Sequence, residues 1–179
     1  MQRSWALLVG VTILMLGSAT PVIGVKASPV PAPGRLPPDR ALAIVVHPSN
    51  PVEDLTMTQL RRIFLGEEGH WPNGQRITLV MMEVGQPERK AVLQQICRMS
   101  ENDYRKAILH RLYTGELLVS PKTLSNPTHV RGFVFNVPGA IGYLRAVDVT
   151  ESVKVVRIDG HLPSDDGYPL RVDSALGPQ

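Results

Sequence analysis

Residues 137–144, with the sequence Val-Pro-Gly-Ala-Ile-Gly-Tyr-Leu, constrain the fold more than any other part of the chain. Pro138 has no N–H to continue a helix, and Gly139 can adopt a positive φ in a tight turn. Residues 141–144 then favour a strand. A helical pattern over about 126–136 precedes them. We therefore predict a helix that stops at the proline, a glycine turn and a buried strand.

The rest of the chain alternates between short apolar runs and helical patterns. Apolar runs over 41–46, 77–82 and 153–158 predict buried strands, the first of them an interior strand. Helix starts are predicted at four signals: Thr56 with Gln59 as a capping box, Pro87, Ser100, and Ser125 as the cap of the 126–136 helix. This order implies an α/β fold, a small, mainly parallel sheet flanked by helices.

The N-terminal residues have the layout of a secretory signal peptide. Arg3 precedes an apolar stretch from Trp5 to Leu16, which is too short to span a bilayer comfortably, and small residues follow it. Cleavage is possible after Ala19 or after Ala27. We take 1–27 as the signal peptide, so that the chain meets the membrane only transiently and reaches the periplasm or the exterior. An uncleaved anchor helix is the alternative.

Composition divides the remaining chain into three parts. Residues 28–40 contain five prolines and predict a stiff linker. Residues 41–170 are long enough for one folded domain, and residues 171–179 are predicted to be a disordered tail. Cys97 is the only cysteine, so no internal disulfide is possible. Its place in a helical apolar stripe predicts a buried thiol.

The residue patterns predict neither an enzyme nor a metal or cofactor site. The chain lacks the Gly-x-Ser-x-Gly, Ser-x-x-Lys and Cys-His-Asn patterns. Its five histidines are dispersed, and the acidic segment 159–167 lacks the ligand spacing of a calcium loop. The net charge is +3, and it falls to +1 when residues 1–27, with two basic and no acidic residues, are removed. Nucleic acid is therefore not an expected partner.

Three motifs in order resemble the phosphate-binding proteins of ABC transporters. They are Ile-Phe-Leu-Gly at 63–66, closing a helix, then Trp71, then Pro-Gly-Ala-Ile-Gly-Tyr at 138–143. The resemblance covers roughly residues 42–170. A complete protein of this family has two lobes that close on the anion, and this chain has residues for one. The resemblance thus implies one lobe of a type II periplasmic binding protein, in a short, single-lobe form.

The resemblance also implies where an anion would bind. In the family's second lobe, a strand ending in Arg leads into a Ser-Gly-Thr turn that holds phosphate at a helix N-terminus, where N–H donors are unpaired. The matching segment here is 82–89, in which Met82 replaces the Arg, Pro87 removes one donor, and two glutamates, Glu83 and Glu88, add carboxylates. The candidate ligand-binding residues that remain are Gly85, Gln86 and Arg89. We expect Arg89 either to face the turn with free donors or to pair with Glu83.

Two further candidates, Ser49 and Asn50, follow the first strand. Ligands in open α/β sheets gather outside the carboxyl ends of strands. If this strand and the one before Gly85 run in the same sense, Ser49 and Asn50 lie beside Gly85 and Gln86. The alternative is a rigid turn between Pro48 and Pro51.

Two functions remain open at this point. One is a domain that binds phosphate or another small anion, weakly, because a single lobe cannot bury an ion on all sides. The other is a protein-interaction or sensory accessory domain that has lost phosphate binding, with another periplasmic or membrane protein docked on its open face. A flat apolar patch around Ser49 and Gly85 favours docking, and a concave polar notch favours the anion.

Overall fold

The computed structural model describes residues 39–173. The predicted signal peptide 1–27, most of the linker 28–40 and residues 174–179 lie outside the described residues. The described strands are β1 (Leu42–Val46), β2 (Asp54–Leu55), β3 (Thr78–Met82), β4 (Lys122–Leu124), β5 (Ala140–Arg145) and β6 (Lys154–Ile158). The described α-helices are α1 (Met57–Phe64), α2 (Pro87–Val92), α3 (Glu101–Tyr113) and α4 (Pro127–Asn136). A π-helical turn, Leu93–Cys97, continues α2.

The six strands form one sheet in the order β2-β6-β1-β5-β3-β4. The α/β class is confirmed, and three of the five strand pairings are parallel. Strand β1 runs antiparallel to both of its neighbours, β5 and β6. All five of its residues are fully buried, which confirms it as an interior strand. The direction of β1 decides which loops lie together at one end of the strands.

The predicted helix starts are confirmed at Thr56 and Ser100. Thr56 accepts the Gln59 N–H, and Gln59 accepts the Thr56 N–H in return, at 3.2 and 3.0 Å. The cap of α4 is Asn126 and not Ser125, because the Asn126 side-chain oxygen accepts the third N–H of the helix, that of His129, at 2.9 Å. Ser125 lies one residue too early for that bond.

The described chain closes by pairing its two ends. Ala41 forms an antiparallel bridge with Arg171. The Val172 N–H donates to the Arg40 carbonyl at 2.6 Å, and the Val172 side chain is buried. Residues 171 and 172 are therefore paired with the residues that lead into β1, and the domain bounds 41–170 stay a prediction.

Gly139 is needed for a close approach and not for a positive φ, which corrects the sequence-based reason. Its φ lies outside the left-handed region. A Cβ at this position would meet the backbone carbonyl oxygen of Arg76 at 2.0 Å. Gly66, which ends α1, does have a positive φ of 73°. The turn before β5 is therefore packed tightly against the backbone just before β3.

Candidate functional site

The turn between β3 and α2 contains two of the candidate residues, Gly85 and Gln86. Gly85 has a φ of 96°, a conformation that favours glycine. Gln86 is the N-cap of α2, but its side chain makes no capping hydrogen bond. Pro87 follows as the first helical residue, as predicted. The turn therefore exposes a short backbone stretch at the carboxyl end of β3.

Arg89 is buried, with 8% of the residue exposed, and its guanidinium is occupied by protein groups. Nε and Nη2 donate to the two carboxylate oxygens of Glu101 at 2.8 and 2.6 Å. Nη1 donates to the Met82 carbonyl at 2.8 Å. The guanidinium also lies over the Tyr104 ring, 5.8 Å from its centre. Both expectations for Arg89, free donors at the turn and a pair with Glu83, are therefore wrong.

The charge of Arg89 is stabilised by this arrangement. Burial alone would lower the pKa of a guanidinium, because it penalises the charged form. The forked hydrogen bonds and the negative charge of Glu101 outweigh that penalty, so the pKa of Arg89 is raised above its ordinary value. Arg89 is thus a permanent cation with an internal carboxylate in the position where a bidentate oxyanion would bind.

Sequence spacing gave no sign of the Arg89–Glu101 pair. Glu101 is the first residue of α3, after the Ser100 cap. The π-helical turn and Arg98, with a φ of 55°, reverse the chain between α2 and α3. The twelve-residue separation matches no helical repeat. Only this reversal brings the two side chains together.

Glu88, the other carboxylate of the segment, is also occupied. It is buried and accepts a hydrogen bond from Nε of Arg145. The same guanidinium donates from Nη1 to the Asp39 carbonyl at 3.3 Å. Glu88 therefore ties α2 to the end of β5, and Arg145 in turn contacts the point where the described chain begins.

Ser49 and Asn50 follow β1 at one end of the strands, and Gly85 follows β3 at the other end. Their expected placement beside Gly85 is therefore wrong. Val46, at the end of β1, pairs with Ile141, and Leu79, near the start of β3, pairs with the same residue. The carboxyl ends of β1 and β3 therefore point in opposite directions. Met82, at the end of β3, lies three residues beyond Leu79, so at about 3.3 Å per residue the two strand ends are roughly 10 Å apart along the strand direction, and the turns that follow them lie farther apart still.

The side chains of Ser49 and Asn50 form hydrogen bonds within their own turn. Ser49 bonds to the His47 ring through its hydroxyl at 2.8 Å and its N–H at 3.1 Å. The Asn50 side-chain oxygen accepts the Val52 N–H at 3.0 Å, and its carbonyl accepts Nζ of Lys154 at 2.8 Å. This matches the alternative of a structured turn. Of the five candidates, the structure brings together Gly85, Gln86 and Arg89.

Two adjoining cavities flank the Arg89–Glu101 pair, and both are also lined by Val84. We call them together the α3 groove. The first, of about 320 Å³, has mixed walls that include Gly85, Gln86, Lys90, Leu93, Met99 and Ser100. The second, of about 250 Å³, lies between α3 and segment 120–123, and more than half of its lining residues are apolar: Met81, Val84, Tyr104, Ile108, Leu109, Leu112 and Pro121.

Exposed apolar side chains are concentrated around this groove. Among the described residues 39–173, seven large apolar side chains are exposed, and five of them lie on the turn before α2, the second half of α3 or the loop after it. These five are Val84 (68% exposed), Leu109 (65%), Tyr113 (91%), Leu118 (70%) and Val119 (57%). Val84 and Leu109 are the two of these five that line the groove itself, and exposed apolar side chains that share one concave surface are typical of an interaction site.

Unneutralised cations line the same groove. Lys90 lines the first cavity and Arg105 the second. Within the described part of the chain neither forms a salt bridge. The Arg105 guanidinium donates to the Asn102 side-chain oxygen at 2.9 Å. The groove therefore combines apolar walls with positive charge.

Neither a metal-binding cluster nor a membrane-spanning helix is found within residues 39–173. No group of three His, Cys, Asp or Glu side chains in this range is placed to hold a metal ion. No helix in the same range is both long and apolar enough to cross a membrane.

The fold is that of part of a periplasmic binding protein. The chain is similar to an ABC-type phosphate transport receptor from Vibrio cholerae, with a TM-score of 0.57 and 21% identity over 69% of this chain and 48% of that one. It is similar to a Clostridium perfringens protein described as a phosphate ABC transporter substrate-binding protein and solved with bound phosphate, with a TM-score of 0.55 and 27% identity over 68% and 46%. PstS from Borrelia burgdorferi gives a TM-score of 0.60 and 13% identity over 75% of this chain and 55% of that one.

The expected resemblance to phosphate ABC transporter binding proteins is thereby confirmed at the level of structure. The chain spans about half the length of these solved proteins. No protein-family model matches the sequence.

Proposed function

We propose that this chain is a non-enzymatic interaction domain with a phosphate-binding-protein fold, and that its α3 groove docks another extracytoplasmic polypeptide. One observation carries the proposal. The Arg89 guanidinium, which would suit an oxyanion, already donates two hydrogen bonds to the Glu101 carboxylate. The exposed apolar side chains of Val84 and Leu109 beside it support docking in place of anion capture. The predicted signal peptide and a periplasmic location are part of this proposal.

The energetics favour docking over phosphate capture. A phosphate would have to displace the Glu101 carboxylate from a buried cation, and one open lobe could not enclose the ion. An apolar partner gains free energy by covering side chains that are now in water, about 25 cal/mol per Å² of apolar surface. The fold is therefore retained while its binding surface serves a different class of ligand.

Site-directed photocrosslinking tests the docking proposal. A photoreactive residue is placed at Leu109, in the groove, and a matched one at Val147, an exposed apolar residue in the short turn after β5. In the cells that produce the protein, we expect a discrete protein adduct from position 109 and none from position 147. Equal adducts from both positions, or none from either, would reject the docking function.

A weakly bound small anion is the second candidate, and Lys90 favours it. This cation lines the first cavity together with Gly85 and Gln86. Calorimetry of the mature chain with phosphate, sulfate and small carboxylates tests it, and Lys90→Gln is the matched variant. The docking proposal predicts no heat at millimolar concentrations; heat that Lys90→Gln abolishes would establish the anion site instead.

A further inference from the structure

We infer that the segment bound in the α3 groove is an extended, acidic and apolar stretch of polypeptide. The inference rests on the proposed docking function and adds the chemistry of the partner. It follows from three independent features of the groove: its apolar walls, its unneutralised cations and the sheet edge beside it.

The apolar walls define one half of the partner's chemistry. Leu109 lines the second cavity and is 65% exposed, although it belongs to a helix whose other face is buried through Tyr104 and Ile108. Val84, on the turn before α2, lines the same cavity. A partner that buries these side chains must present apolar groups of its own.

The cations define the other half. Lys90 and Arg105 line the groove, and Lys122 is exposed on β4; within residues 39–173 none of the three forms a salt bridge. The Glu101 carboxylate is neutralised by Arg89. Of the charged side chains that line the two cavities, those left to a partner, Lys90 and Arg105, are therefore positive, and the complementary segment carries Asp or Glu.

The sheet edge favours an extended partner over a helical one. Within residues 39–173, strand β4 is the last strand of the sheet, so one side of its backbone has no neighbouring strand in this part of the chain. Thr123 of β4 lines the second cavity, next to Pro121. A segment in the groove therefore lies within reach of unpaired backbone groups, the arrangement used when a peptide adds to a sheet.

Charge reversal tests this chemistry in the full-length protein with the photoreactive residue at position 109. Lys90→Glu with Arg105→Glu should reduce the adduct at least about tenfold, because opposite charges across the interface become like charges. Lys106→Glu is the matched control, since Lys106 is exposed next to Arg105 on α3 but does not line the groove. It should leave the adduct unchanged. Sequencing of the crosslinked peptide should identify apolar residues interspersed with Asp or Glu.

The outcomes separate this inference from the docking function. An adduct that survives the double reversal, or a crosslinked peptide without acidic residues, overturns the inference and leaves docking intact. Equal loss in Lys106→Glu also overturns it, since the effect would then be one of general charge. If no protein adduct forms at position 109, both the docking function and this inference are rejected. Charge-sensitive binding of purified wild type to anionic lipid vesicles, with no peptide adduct, assigns the surface to a membrane and overturns both.

Discussion

The indole N–H of Trp71 donates to the carbonyl oxygen of Gly139 at 3.0 Å, and both residues are buried. The same carbonyl accepts the Thr78 N–H, also at 3.0 Å. Two motifs separated by 68 residues therefore meet in one hydrogen-bonded turn. This contact holds the chain between α1 and β3 against the entry to β5.

Gly139→Ala tests this junction. Its new Cβ would meet the Arg76 carbonyl oxygen, a backbone atom that cannot move aside as a side chain can. We expect a loss of about 3–5 kcal/mol in the free energy of unfolding, measured by urea titration. Gly132→Ala, in α4 with open space around it, should instead stabilise by about 0.5–1 kcal/mol. A loss below about 1 kcal/mol at position 139 would contradict the close approach.

Glu101→Gln tests the contribution of the half-buried ion pair between Arg89 and Glu101. The substitution leaves the Arg89 cation, only 9% exposed at its side chain, with a neutral partner. We expect a loss of about 1–3 kcal/mol in urea unfolding. The matched variant is Glu116→Gln, whose exposed pair with Arg111 has a similar length of 2.9 Å and should contribute about 0–1 kcal/mol. Equal losses in the two variants would mean that burial does not distinguish these pairs.

Glu101→Ala should open the Arg89 fork to an external oxyanion. Without the carboxylate, the buried guanidinium keeps only its bond to Met82, so phosphate or formate can replace the missing partner. Millimolar phosphate should therefore raise the thermal midpoint of this variant, because a ligand that binds only the folded state stabilises it. Wild type should show no such rise.

Removing Arg89 as well supplies the control for that experiment. The double variant Arg89→Ala with Glu101→Ala should lose the phosphate effect, and Arg89→Lys in the Glu101→Ala background should restore it only in part, since lysine cannot form the fork. A phosphate-dependent rise in wild type equal to that of Glu101→Ala would show that Glu101 does not occupy the anion position.

The buried thiol of Cys97 should make the folded protein less stable at alkaline pH. Burial raises the pKa of its thiol from 9.0 to about 12. The unfolded chain therefore releases this proton near pH 9 while the folded chain keeps it, so its contribution to stability is intact below pH 9 and declines toward pH 12. Between pH 8 and pH 10, the free energy of unfolding measured by urea titration should fall by about 1 kcal/mol more in wild type than in Cys97→Ala.

Thiol labelling gives a second measurement of the same burial. Native protein at pH 8 should react with a thiol reagent only as fast as it unfolds, because the buried thiol is neither ionised nor accessible. Rapid labelling of the folded chain, or identical pH slopes for wild type and Cys97→Ala, would contradict the buried, protonated thiol.

Local chemistry in the sequence determined most of the secondary structure. The Thr56 and Gln59 capping box, Pro87 in a first turn, and the unbroken apolar run of β1 each act within a few residues, so the sequence alone predicts them. The short strands β2 and β4 were not predicted. They have two and three residues, too few to show an apolar repeat, and each is defined by its neighbour in the sheet.

Only the tertiary structure decided which residues meet at the candidate site. An apolar run does not encode the direction of its strand, and the antiparallel placement of β1 separates Ser49 and Asn50 from Gly85. Arg89 has the same charge wherever it lies, but the reversal after α2 brings Glu101 to its guanidinium. Strand direction and the choice of a salt-bridge partner depend on contacts between distant segments, whereas helix caps and buried strands depend on neighbours along the chain.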